Sequence, residues 1–282
     1  MSGNRLEFAQ FGQFDSFDVI RSLTSMVGVA DVDLPTPIVT GLKTMYYVDA
    51  NVVKGTTYYY KVRVWRGSQS FVSEEVRVIS DRDEHYETVI ALLYFNDGFA
   101  DETGRIWVNT NITISSESPI LGVKSAVFGG NGELRSTTDV SVGSGDFTVE
   151  MFSKGKGSLF SKRIPTGTSN AGMTFFVSSS NRIAAWNGSS EVSSSTTIDA
   201  SALTHKAFVK HGNRLKMFVN GQMLYDAAYS LSDNSYPMQI GAATYAGVSV
   251  DFFNGLISMP RISKYARYTD NFTPPDRPFL AQ

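Results

Sequence analysis

The residues that could do chemistry in this chain are few and scattered. Cleaving a glycosidic bond on a β-sheet face takes two carboxylates flanking the bond, one as acid and one as nucleophile or base. On a single strand that means acidic residues at alternate positions. The strand-like run Thr148-Val149-Glu150-Met151-Phe152-Ser153 carries Glu150 alone. Glu150 therefore reads as a structural charge on the concave or solvent face. His205 and His211 stand six residues apart on one strand and its hairpin edge. At ~3.3 Å per residue they are roughly 20 Å from each other. His85 lies in a charged run far upstream, so neither a zinc triad nor a Ser/His/Asp set is expected. Gly129-Gly130-Asn131-Gly132 lacks the following helix and the Lys-Ser/Thr of a phosphate loop, and reads as a turn. The chain has no cysteine, which excludes disulfides, thiolate nucleophiles and thiolate metal sites. The expectation is a protein that is not an enzyme.

Two binding chemistries remain open. Asp97 and Asp101 fall in the oxygen-rich run Asn96-Asp97-Gly98-Phe99-Ala100-Asp101-Glu102-Thr103, the kind of loop a hard cation such as calcium uses. The alternative is a turn held by Asx bonds, with no cofactor at all. For sugars, aromatic platforms beside Asn or Asp are the usual recognition groups. Trp186 with Asn187, and Tyr245, are the candidates. Tyr265 and Tyr268 also offer rings, but near the end of the chain, where packing back across the fold is the expected role. Asn111-Ile112-Thr113, Asn187-Gly188-Ser189 and Asn271-Phe272-Thr273 match the glycosylation pattern, and are read as coincidental.

The bulk properties narrow the partners. Among 282 residues, 25 Lys and Arg stand against 27 Asp and Glu, a net charge of −2. This gives no electrostatic reason to bind nucleic acid or an anionic membrane. Hydrophobic residues make up 42%, enough for a packed core. The longest wholly apolar run, Val89 to Phe95, is far below the ~18 residues of a membrane span, so no membrane insertion is expected. Met1-Ser2-Gly3-Asn4-Arg5 is not followed by an apolar stretch, so no ordinary signal peptide is expected. A chain made in the cytosol, or released with a particle assembled there, fits that reading.

The elements that must position these residues are strands. Phe, Tyr and Gly are abundant, and short alternating stretches dominate over helical spacing. Leu215, Met217 and Val219 alternate up to Asn220-Gly221, the strongest two-residue hairpin signal. With the return Gln222–Tyr225 and the preceding Ala207–Lys210, this predicts a three-stranded meander over about 206–229. Asn187-Gly188 predicts a second hairpin after Arg182–Trp186. Phe147, Val149 and Met151 alternate along another strand. The charged run Asp81-Arg82-Asp83-Glu84-His85 separates two apolar strands and reads as a short linker. The expected domains are 1–82 and 83–282, both all-β.

Each piece resembles a known family. In the first, Phe17-Asp18-Val19-Ile20-Arg21-Ser22 and Gly55-Thr56-Thr57-Tyr58-Tyr59-Tyr60-Lys61-Val62-Arg63-Val64 resemble a fibronectin type III-like module of phage tail proteins. The resemblance puts Tyr58 at the tyrosine corner, whose hydroxyl bonds back to backbone. It implies that Tyr60, Val62 and Val64 face inward. It also implies that the first strand is missing or supplied by a neighbour, since few residues precede Leu6. The second piece resembles a concanavalin A/laminin G-like jelly roll. The supporting segments include Leu93-Tyr94-Phe95-Asn96-Asp97-Gly98, Phe128-Gly129-Gly130-Asn131-Gly132, Gly145-Asp146-Phe147-Thr148-Val149-Glu150, Leu159-Phe160-Ser161-Lys162 and Phe218-Val219-Asn220-Gly221. The closing Arg267-Tyr268-Thr269, with Asn271-Phe272-Thr273-Pro274-Pro275, is the most specific. Relatives of this kind often bind calcium, but Gly255-Leu256-Ile257-Ser258-Met259-Pro260 lacks the acidic residue many of them carry before Arg261.

The fold class implied is a small fibronectin type III-like sandwich followed by a jelly roll. The function implied is a non-enzymatic virion structural protein of the phage tail or tail fibre, with an outward jelly roll for adhesion. Alternatives are a capsid decoration protein with a mechanical role and a carbohydrate-binding accessory module. The expected partners are other virion proteins, a homo-oligomer of this chain and a host surface glycan. Phe8, Phe11 and Phe14, spaced three apart and off a strand's alternation, are the expected particle-docking residues.

Overall fold

The computed structural model describes residues 4–9, 12–53, 55–80, 83, 85–96, 98–120, 123–163, 171–231, 233 and 236–280. Phe11, Asp97, and Asp81, Arg82 and Glu84 of the charged run lie outside the described residues. Among the described residues strands account for nearly all regular structure, with two single-turn 3-10 helices, Asp31–Asp33 and Tyr86–Thr88. The chain divides into two compact units, Met1–Tyr86 with Leu280–Gln282, and Glu87–Phe279.

The first unit holds β1 (Asn4–Glu7), β2 (Ser16–Ser22), β3 (Val39–Leu42), β4 (Tyr46–Asp49), β5 (Thr57–Arg66), β6 (Gln69–Val72) and β7 (Val76–Ile79). β1 pairs with β4, so residues 4–7 supply a strand where the resemblance led us to expect none. The other five form one sheet in the order β3-β2-β5-β6, with β7 also on β5. Val19, Tyr58 and Tyr60 centre its core. The Tyr58 hydroxyl accepts the backbone N–H of Val53 at 2.9 Å. Tyr60 donates to Asp49 at 2.8 Å, and Asp49 also receives Arg21, so the buried carboxylate is paired. Phe8 and Phe14 lie 4.8 and 4.4 Å, ring to ring, from Phe17 of the same unit. Both rings thus contact their own unit while remaining partly exposed.

The second unit holds β8 (Val89–Leu92), β9 (Trp107–Ser115), β10 (Ser125–Asp139), β11 (Phe147–Arg163), β12 (Gly172–Val177), β13 (Ile183–Trp186), β14 (Glu191–Ser193), β15 (Thr204–His211), β16 (Arg214–Val219), β17 (Gln222–Ala228), β18 (Pro237–Ile240), β19 (Ala243–Tyr245), β20 (Val248–Val250) and β21 (Asn254–Ser263). β15, β16 and β17 form the expected meander. Its turn places Asn220 at φ 46° and Gly221 at φ 74°, the double left-handed pair a tight hairpin needs.

β11 ties two layers together. Its first half pairs with β15 on one side and β21 on the other. Its second half pairs with β12 and β18. Gly155 and Gly157, at φ 123° and 112°, lie where the pairing changes. A Cβ on Gly157 would stand 2.3 Å from the Phe252 carbonyl oxygen, so only glycine lets the strands cross this closely. The layers face each other through Phe147, Val149, Met151, Phe160, Phe175 and Phe208. Phe175 of β12 stacks on Phe208 of β15 with ring centroids 4.7 Å apart. This is the expected all-β jelly roll.

Gly157→Ala should destabilise the second unit by well over ~1 kcal/mol, since both φ and the carbonyl contact oppose it. Thermal unfolding followed by circular dichroism checks this; a midpoint unchanged from wild type would show that the crossing tolerates a side chain.

Candidate functional site

The carboxylate that sequence reading placed on the concave or solvent face is at the centre of a buried polar cluster in the second unit. Alternation along β11 turns Glu150 away from the inter-layer core. The closing segment, residues 264–279, then lies across it, so Glu150 has no solvent exposure. Four elements converge there. Arg261 of β21 donates from Nε and Nη2 to Oε1 at 2.9 and 2.7 Å. His205 of β15 donates from Nε2 to Oε2 at 3.0 Å. Tyr268 of the closing segment donates its hydroxyl to Oε2 at 2.8 Å. Phe152, Tyr268, Phe272 and Phe279 surround the His205 ring. Burial by itself would raise the Glu150 pKa. The Arg261 guanidinium, with His205 and Arg267, overrides it and holds the carboxyl down to about 2. A fully buried, ionised and four-way bonded carboxylate has no substrate within reach. Sequence reading had separated His205 from any partner because Glu150 is 55 positions away and meets it only through strand pairing.

Asp101 is likewise committed. Oδ1 accepts Leu92 N, Thr103 N and the Thr103 hydroxyl, and Oδ2 accepts Trp107 Nε1 at 2.8 Å. These bonds make a turn anchor whose oxygens are taken by protein donors, and they do not fit a cation. Among the described residues no cluster of three or more His, Asp or Glu could hold a metal ion.

An open groove of about 720 Å³ lies on the outer face of the second layer. Register builds it. Thr174 of β12 pairs with Trp186 of β13, and Trp186 with Glu191 of β14. One step along, Ser158 of β11 pairs with Phe176. A bulge at Leu159 sends Leu159 and Phe160 both into the core and leaves Ser158 and Ser161 outward. Trp186 and Phe176 are thus diagonal neighbours, ~7–8 Å apart on a pleated face. Both rings are part-exposed. Arg163, at the end of β11, and Asp251 complete a wall, with Arg163 Nη1 3.5 Å from Asp251 Oδ2. The Ser158 hydroxyl is buried and has no hydrogen-bond partner among the described residues.

The three expected sugar contacts part company here. Trp186 lines the groove. Asn187 instead closes its own turn: its side-chain oxygen accepts Ser189 N and Ser190 N, and its amide donates to Ser230 O. Tyr245 is exposed at the end of β19, in the hairpin with β20, and is not among the residues lining the groove. Ser158, Phe176, Arg163 and Asp251 were missed. Only the bulge and the register bring them to one face, and neither has a one-dimensional signature.

Two titrations follow from these buried charges. Glu150 contributes stability that is complete above about 4.5 and is lost as pH falls toward about 2. Glu150→Gln should remove that acid sensitivity and cost ~3–5 kcal/mol at neutral pH, because Arg261 is left uncompensated. Chemical denaturation across pH measures both; an unchanged midpoint would contradict the cluster's role. Lys206 of β15 has no exposure, and its Nζ donates to Ser153 O and to Thr204. Burial pushes its pKa down to about 7, Asp199 opposing only weakly. The unfolded chain keeps that proton to about 10.5, so stability should rise with pH between these values. Lys206→Met should flatten that rise.

Comparison with known proteins places this geometry. The family model described as the concanavalin A-like lectin/glucanases superfamily matches residues 128–271. No curated protein matches in sequence. Among solved structures, domain 4 of the extracellular arabinanase AbnA from Geobacillus stearothermophilus, in complex with arabinotriose, is 16% identical with a TM-score of 0.48, over 64% of this chain and 93% of that one. The binding domain of Paraclostridial Mosquitocidal Protein 1 is 13% identical with a TM-score of 0.50, over 66% of this chain. This chain spans only 51% of that domain's length. The CBM40 of Ruminococcus gnavus IT-sialidase, bound to α2,3-sialyllactose, is 12% identical with a TM-score of 0.42, over 57% of this chain and 94% of that one. With half of its length matched by the family model and two facing strand layers joined through β11, the chain belongs to the concanavalin A-like lectin/glucanases superfamily.

Proposed function

We propose that this protein is a non-catalytic glycan-binding adhesin whose jelly roll holds sugar in the Trp186 groove. The observation that carries the reading is the pair of part-exposed rings, Trp186 and Phe176, side by side in an open groove. The rings supply the apolar platform, and polar groups around them supply orientation. Binding without cleavage is supported by Glu150, the carboxylate of its strand, being locked under the closing segment.

We place the adhesin on a phage virion, in the tail or tail fibre, with the first unit as a fibronectin type III-like docking module. Support comes from the segment resemblances and from the Tyr58 hydroxyl bonding back to Val53 N. Beside the part-exposed Phe8 and Phe14, further groups on this unit are available for docking. Phe71, Val76 and Ile79 are exposed on β6 and β7. Among the described residues β7 pairs only with β5, so its outer edge can accept a strand from a virion partner or a sister subunit.

Trp186→Ala should lower affinity for a retained glycan roughly thirtyfold, the loss of ~2 kcal/mol expected of a central aromatic contact. An array of bacterial envelope oligosaccharides read with wild type and variant checks this. Release of reducing sugar by the wild type, or equal retention of both proteins, would contradict the reading.

A further inference from the structure

We infer that the protein takes its glycan as an extended linear chain, laid along β11 through the Trp186 groove and on into a second cavity, an inference that rests on the glycan-binding reading above. Register sets the order of contacts. Ser161 of β11 pairs with Thr174, and Thr174 with Trp186. Ser158 pairs with Phe176. Lys156 comes next on the same face of β11 and is exposed. The groove therefore runs from Trp186 past Phe176 to Lys156, roughly 15 Å of strand. It does not end there. Lys156 also lines a second open cavity of about 530 Å³, with Gly155, Asn181, Asp199, Ser201 and Asn254. Asn254 of β21 stands directly opposite Lys156 in the strand register.

The two cavities offer different chemistry. The groove presents rings, which match the apolar face of a sugar. Among the described residues the second cavity is lined by no aromatic side chain, and Asp199, Ser201 and Asn254 are exposed on it. Asp199 Oδ1 accepts the Ser201 N–H and hydroxyl at 2.9 and 2.6 Å, which holds the carboxylate in place at the cavity. That carboxylate can accept further hydrogen bonds from sugar hydroxyls, and the Asn254 amide can both donate and accept. Lys156 Nζ donates to the Ser179 carbonyl at 3.0 Å. An ammonium has three donors, so it can also serve a ligand where the cavities meet. A single sugar on Trp186 stacks but lies too far away for any of these groups. A chain that continues past Phe176 meets all of them, so affinity depends on chain length.

The test uses the full chain and size-graded ladders, disaccharide to octasaccharide, of cellulose, xylan, chitin and a bacterial capsular polysaccharide, read by titration calorimetry. In a ladder that binds, affinity should rise about tenfold from the disaccharide to the longer members, a difference of ~1.4 kcal/mol, and then level off once both cavities are filled. Asn254→Ala should bring the long members back toward the disaccharide and leave the disaccharide unchanged. Asp199→Asn, which keeps a side-chain oxygen for Ser201, should do the same. Both positions are exposed, and an unchanged unfolding midpoint shows that each variant is folded. Trp186→Ala should weaken binding at every length. Equal affinity across lengths, or long chains bound by both second-cavity variants as by wild type, would overturn the inference and leave the glycan reading standing. Binding of no ladder at any length would overturn both.

Discussion

The second unit depends on keeping one carboxylate ionised in a place without water. Glu150 sits where β11, β15, β21 and the closing segment meet, and each of the four supplies part of its environment. Desolvating such a charge costs several kcal/mol, which Arg261, His205 and Tyr268 must offset together. None of the four elements can shift by a residue without leaving the charge unpaired. A buried ion cluster adds little net stability over an apolar equivalent, but it fixes which strand lies beside which. Here it also fixes the last stretch of chain, otherwise without regular structure, across an outer sheet face. Tyr268 and Phe272 stack at 3.6 Å over that face, beside Phe218, and Arg261 lies 3.8 Å over the Phe279 ring. The segment that covers Glu150 is thus held by aromatic contact as well as by the charge it covers.

That arrangement separates the two outer faces of the sandwich. The face of the first layer is closed by the chain's own residues. The face of the second layer stays open at the Trp186 groove. The difference is local. On the closed side, small and apolar positions such as Ala207 and Val209 accept the aromatic strap. On the open side, the β19–β20 hairpin is pinned by Arg135, which reaches Thr244 and Ser249, with Gln239 bonding Glu133. Asp251, which ends the connection from β20, reaches the groove wall at φ 51°. A jelly roll accommodates catalysis or binding equally well.

What the sequence alone determined was whatever depends on neighbours along the chain. Alternation predicted the strands, Asn220-Gly221 predicted the tight meander turn, and the ordered family segments predicted the jelly roll. The aromatic closing segment was also legible as a piece that packs back. Tertiary structure decided which face each strand turns outward and what covers it. Glu150 looked exposed because alternation gives two faces without saying that the second is roofed by residues more than a hundred positions later. That Phe8 and Phe14 both meet Phe17 was not legible either, because the contact depends on a turn of the chain. The groove was the least legible feature. Trp186 could be named from its type, but Ser158 and Phe176 join it through a bulge at Leu159 and a cross-strand register, and those are set by packing on the opposite face rather than by any local pattern.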